Sequence, residues 1–165
     1  MPFTFRLMDE SDARAIQSWR YEGEYAVYNA GADGDDGFTE MLDRRSPYYA
    51  VRDERGELIG FFCYGTSASI GGSAEPGIYT EDRRVLIGLG LRPDLTGKGL
   101  GLDFVNAGLA FGKEQFAPAT FGLYVMTFNQ RAIRVYERAG FQPVREVIQH
   151  GPQGERPFLE MRRNG

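Results

Sequence analysis

The sequence predicts a single α/β domain, residues 1–165, built on a mixed, twisted sheet of about seven strands flanked by about four helices. Three observations carry this reading. Short apolar runs of strand character alternate with stretches of helical spacing. A tight hairpin stands in the first half and another at the end. Between them a strand, a long helix and a second strand follow in succession, which calls for one right-handed parallel crossover.

Taken in order, "FTFRLM" (3–8) alternates like a first strand. "DESDARAIQSWRY" (9–21) opens on capping residues and carries Ala13, Ile16, Trp19 and Arg20 at helical spacing. "NAGADGDDGF" (29–38) is a polar loop with Asp33, Asp35 and Asp36, and a short helix is expected over Thr39–Arg44. "YYAVRD" (48–53) and "ELIGFFCYG" (57–65) form a hairpin across "DERG", and residues 66–80 read as a long loop. "RRVLIGLGL" (83–91) is a strand whose Gly88 and Gly90 suggest a bulge. Leu100, Phe104, Ala107 and Phe111 then lie on one helical face. "PATFGLYVMTF" (118–128) is a further strand, and "NQRAIRVYERAG" (129–140) a helix capped by Asn129 and closed by Gly140. "FQPVREVIQH" and "RPFLEMR" close the chain as a hairpin across "GPQG" (151–154). There is no internal repeat and no low-complexity tract.

Composition narrows the function. The chain is 42% apolar and 25% charged, as soluble domains are. It has no stretch apolar enough for a bilayer, and its first residues lack the apolar core of a signal peptide. Cys63, the single cysteine, sits in an apolar run and reads as a buried side chain, so a reducing, cytoplasmic setting is expected. A net charge of −4 without a basic cluster argues against nucleic acid. His150 is the one histidine, and no metal-ligand spacing surrounds it. No metal, membrane or nucleic-acid partner is expected.

"RPDLTGKGLG" (92–101) is the stretch with chemistry. Gly97, Gly99 and Gly101 let an anion approach the backbone amides of 97–102, which include Leu100 and Leu102, where a helix begins. Lys98 adds a positive charge. The P-loop pattern fails, because Gly99 stands where Ser or Thr is required and Gly90 lies too far upstream. The dinucleotide pattern fails because Leu102 stands where the third glycine belongs. From these residues alone a plain glycine turn and a ligand loop remain equal alternatives.

"LGLRPDLTGKGLG" resembles the coenzyme A loop Q/R-x-x-G-x-G/A of the GNAT superfamily of N-acetyltransferases, with Gly99 and Gly101 as its glycines and Thr96 where the family has Gln or Arg. "NQRAIRVYERAGF" is similar to the family's second signature, with Asn129, Ala132, Tyr136, Gly140 and Phe141 in register. The resemblance implies the acyl-CoA N-acyltransferase fold, with acetyl-CoA as acetyl donor in a cleft between "VLIGLGL" and "FGLYVMTF". Leu89, Gly90, Leu91, Thr96, Gly97, Lys98, Gly99, Leu100, Gly101, Leu102, Asn129 and Ala132 would hold it. The stripe of Ala132, Val135, Tyr136 and Ala139 by itself reads as core, and the two signatures together imply instead that Tyr136 is the general acid that protonates the leaving thiolate.

By the same resemblance, Trp19, Glu22, Glu24 and Tyr25, in a stretch that also holds Tyr21, Tyr28 and Glu40, would shape an acceptor pocket together with Tyr124, which stands where some relatives carry a Glu. Acids and rings there suit a small cationic amine, attacked directly in a ternary complex. They suit a solvated loop as well. A coenzyme A-binding domain without turnover and a protein N-terminal acetyltransferase stay open as alternatives, as does a homodimer.

Overall fold

The early hairpin and both long helices form where the periodicity places them in the computed structural model, which describes residues 3–32, 37–70, 75–151 and 154–165. Asp33, Asp35 and Asp36 of the acidic loop, and positions 152 and 153 of the final turn, lie outside the described residues. The strands are β1 (Thr4–Leu7), β2 (Tyr48–Arg52), β3 (Leu58–Tyr64), β4 (Tyr79–Thr80), β5 (Arg84–Leu91), β6 (Thr120–Met126), β7 (Gln142–Gly151) and β8 (Gly154–Asn164). They make one sheet in the order β1-β2-β3-β5-β6-β8-β7, with β4 paired to β5 off this path. β4 lies inside the stretch expected to be loop, because two residues are too few to show a period.

Helix α1 (Glu10–Gln17) starts at Asp9, whose Oδ1 accepts from the Asp12 amide at 2.8 Å. It ends well before Tyr21, because the Ser18 hydroxyl donates to the Ala15 carbonyl and competes with helix continuation. A 3₁₀ turn over Gly23–Tyr28 follows, unannounced by any period. Helix α2 (Phe38–Met41) is short. Together α1 and α2 cover one face of the sheet through Met8, Ala13, Ile16, Met41 and Ala50, with Trp19 packed against them.

Helices α3 (Gly101–Phe116) and α4 (Gln130–Arg138) cover the other face, over the larger core built on Phe62, Tyr64, Phe104 and Phe121. α3 lies close against the sheet because Gly108 has no side chain: a Cβ there would stand 2.2 Å from the Phe62 ring.

The sheet divides near its centre. β5 follows β3 from Gly60↔Leu91 to Tyr64↔Ile87, while β6 follows β8 from Thr120↔Asn164 to Met126↔Phe158. The parallel pair β5 and β6 is joined only at Arg84↔Thr120, Val85↔Phe121 and Leu86↔Gly122. Beyond those three positions the two halves part. The expected bulge at Gly88 and Gly90 is not what parts them, since β5 keeps an unbroken register with β3. These glycines instead make room for β3 side chains. A Cβ at Gly88 would stand 2.7 Å from Cys63 Sγ, and one at Gly90 2.4 Å from the Phe61 ring.

Candidate active site

The parting of β5 from β6 leaves backbone without strand partners. The Arg92 amide donates to Ile59 and the Gly65 amide to Leu86, both at 2.8 Å, so the even-numbered residues of β5 bond to β3. The peptide groups of Leu89 and Leu91 therefore face the gap, while the Ile87 amide is taken by the Leu86↔Gly122 bridge. One is engaged: the Leu91 carbonyl accepts from the Tyr21 hydroxyl at 2.6 Å. The gap is a cavity of about 600 Å³, walled by β5, β6, the glycine loop, the first turn of α3 and one face of α4.

At its mouth the backbone obeys the glycines. Gly97 has φ +71° and Gly99 φ +81°, conformations that L side chains rarely adopt. A Cβ at Gly99 would meet nothing within 4 Å, so the loop is open on that side. No side chain caps the start of α3, and its first-turn amides have that end of the cavity before them. Gly101 allows α4 to approach, since its Cβ would lie 3.2 Å from Val135 Cγ2. Thr96 lines the cavity, but its hydroxyl donates to the Pro93 carbonyl at 2.8 Å and serves the turn.

Asn129 caps α4, its Oδ1 accepting from the Ala132 amide at 3.1 Å, and its Nδ2 donates to the Tyr28 hydroxyl at 3.1 Å. Tyr136 lines the same cavity, with its ring edge-on to Phe141 at 6.1 Å. Its hydroxyl has no hydrogen-bond partner among the described residues. Burial, and secondarily the nearby Tyr28, push its pKa well above the ordinary phenol value, so the proton stays on at any neutral pH.

Of the residues expected at the site, Leu89, Gly90, Leu91, Thr96, Gly97, Gly99, Gly101, Leu102, Tyr25, Tyr124, Asn129, Ala132 and Tyr136 line this one cavity. Lys98, Leu100, Trp19, Glu22 and Glu24 do not. Trp19 is taken up by the packing of α1, and Glu24 borders a separate small pocket with Val27 and Phe128. Tyr21 and Tyr28, from the stretch expected to build the acceptor pocket, line it too, and so do three arginines not expected there: Arg131, Arg134 and Arg138. The arginines had a signal, since spacings of three and four put them on one helical face. Arg131 reaches the glycine loop, where a Cβ on Gly97 would stand 3.3 Å from its guanidinium, and it lies 4.5 Å over the Tyr25 ring.

The model of the acetyltransferase (GNAT) family matches residues 11–141. This chain belongs to that family. Among curated proteins it is similar to the mycothiol acetyltransferase of Propionibacterium freudenreichii subsp. shermanii, with 35% identity over 102 residues. That match covers 62% of this chain and 30% of the relative, so the matched part of this GNAT chain spans less than a third of the relative's length. Among solved structures it is similar to a chimera of the Vibrio cholerae spermidine N-acetyltransferase, with a TM-score of 0.75 and 18% identity over 99% of this chain and 96% of that one. A point mutant of the same Vibrio cholerae enzyme gives 0.69 and 16%, over 98% and 93%. At these identities the likeness establishes the GNAT fold alone.

Proposed function

We propose that this chain is an acetyl-CoA-dependent N-acetyltransferase that moves an acetyl group to a primary amine by direct attack in a ternary complex. The observation that carries the reading is the wedge between β5 and β6, with free peptide groups on one wall, a phenol on the other and a glycine cradle at its mouth. When bound, acetyl-CoA supplies a thioester whose carbonyl carbon takes the amine nitrogen as the carbon–sulfur bond breaks. The cradle of 97–102, with Arg131 beside it, suits a pyrophosphate. Leu89 and Leu91 offer the edge of an added strand, and a peptide N–H there would polarise a carbonyl oxygen. Tyr136 donates its proton to the departing sulfur.

A small acceptor enters as its ammonium form, for which the rings of Tyr21, Tyr25 and Tyr28 offer cation–π faces. It must lose a proton before it attacks. Among the described residues lining the wedge there is no Asp, Glu or His, so the proton goes to water. The pH dependence follows. The free-amine fraction rises about tenfold per pH unit below the amine's own pKa. Tyr136, held above the ordinary phenol range, keeps its proton throughout. The expected kcat/KM profile is therefore a single rising limb of slope near one, with no fall up to about pH 10. A bell with a limb near pH 6–7 (roughly the range of a perturbed carboxylate or histidine) would instead reveal a protein base.

The same lack of a base favours a second reading, coenzyme A binding without turnover. Free-thiol release from acetyl-CoA, measured with a panel of small amines and peptide N-termini, separates the two. Acceptor-dependent release is expected. Tight coenzyme A binding with no release for any acceptor would establish the second reading.

A further inference from the structure

On the face that carries α1 and α2, the strands beside the wedge hold ionised groups that acetyl transfer does not use. Tyr124 lines the wedge and lies opposite Glu160 of β8. Glu160 is only 4% exposed, and its carboxylate accepts from Arg145 Nε and Arg162 Nε, each at 2.8 Å. Desolvation pushes its pKa up, but the two guanidinium bonds outweigh that, and it lies below the ordinary value. Glu160 is thus an anion already spoken for, and a poor base.

Two positions back along β6, Gly122 lies opposite Arg162. The Arg84 side chain crosses over Gly122, where a Cβ would stand 3.1 Å from Arg84 Cδ. Among the described residues Arg84 Nε is buried with no hydrogen-bond partner, and so is Oγ1 of Thr120, its neighbour in register. Arg84, Arg145, Arg162 and Glu160 all act on Tyr124, and Glu160 answers two of the three guanidinium groups, leaving Arg84 Nε and the Thr120 hydroxyl without a partner among the described residues. The segment after β3 reaches over this face. A Cβ at Gly88 would stand 3.4 Å from Ala68 Cβ, and Gln149 of β7 donates to the Ile70 carbonyl at 2.8 Å. Tyr124, which lines the wedge, and Gly122, beneath the Arg84 side chain, are two strand positions apart, about 7 Å, within the length of a small amino acid.

We infer that this cluster is an anion subsite of the acceptor pocket: the acceptor carries a carboxylate or similar oxyanion besides its amine, and Arg84 is the residue that reads it. The inference rests on the reading of the chain as an amine acetyltransferase. A planar guanidinium with free donors matches an oxyanion in a fork, and Thr120 adds a hydroxyl donor. Glu160 keeps Arg145 and Arg162 in place and leaves Arg84 for the ligand.

The test measures thiol release from acetyl-CoA with three matched series: free L-amino acids, their methyl esters and the corresponding decarboxylated amines. Free acids are expected to give the higher kcat/KM. Arg84→Gln should cut the acid-to-ester ratio by about 10- to 100-fold, the worth of a charge-assisted contact, and Arg84→Lys should retain part of it. Gln keeps the aliphatic stem over Gly122, and the ratio is internal to each variant, so a modest loss of folded protein does not distort it. Esters or simple amines used as well as the acids would overturn the subsite and leave acetyl transfer standing, as would an unchanged ratio in Arg84→Gln. Release with none of the three series would overturn the subsite together with the reading beneath it.

Discussion

Tyr136→Phe is expected to lower kcat by about 10²- to 10⁴-fold, the usual worth of a general acid, while the fold is kept. Tyr136 lines the wedge, and its hydroxyl makes no hydrogen bond among the described residues. Removing it therefore strands no buried partner, and the ring keeps its edge-on contact with Phe141. Stability should change by less than about 1 kcal/mol. Saturation kinetics beside a denaturant titration decide the matter. A stability loss with kcat intact would make Tyr136 a packing residue and leave water to protonate the sulfur.

Gly99→Val should weaken coenzyme A binding on the order of 100-fold, equal to losing two charge-assisted amide contacts of about 1.5 kcal/mol each. Two effects act together. A β-branched residue at φ +81° is strained, so the loop shifts away from its cradle shape. The new side chain also enters space that is open in this chain, on the side where a phosphate would approach. Because nothing within 4 Å is displaced, the core is spared. Calorimetric titration with coenzyme A reads the effect, and an unchanged Kd in a folded variant would place the phosphates elsewhere.

The glycine loop was legible because its demands are local. Gly97 and Gly99 adopt positive φ within the loop itself, and Asn129 caps its own helix. The two signatures therefore point to residues that line one cavity. Gly88 and Gly90 were misread because their cause is tertiary: Cys63 and Phe61 of β3 fill the space above them, some thirty positions upstream. The resemblance alone led to a cleft between β5 and β6, and its physical cause, β5 keeping to β3 while β6 keeps to β8, is tertiary and absent from any local pattern. The acceptor side was the least legible. Acids near residue 22 drew attention by composition, yet Glu22 and Glu24 stand away from the wedge, where Tyr21 and Tyr28 are placed by an irregular turn. Arg84 and Glu160 meet on one face only through strand order, which no local pattern contains.

Amide hydrogen exchange with and without acetyl-CoA addresses the central claim most directly. Among the described residues, the free peptide groups of β5 and the first turn of α3 have no protein acceptor in the wedge. Binding there should slow exchange at Leu89, Leu91 and the amides of 97–102, and leave the odd-numbered amides of β3 as they were. Binding of acetyl-CoA with no protection at these positions, and protection at another surface, would contradict the account.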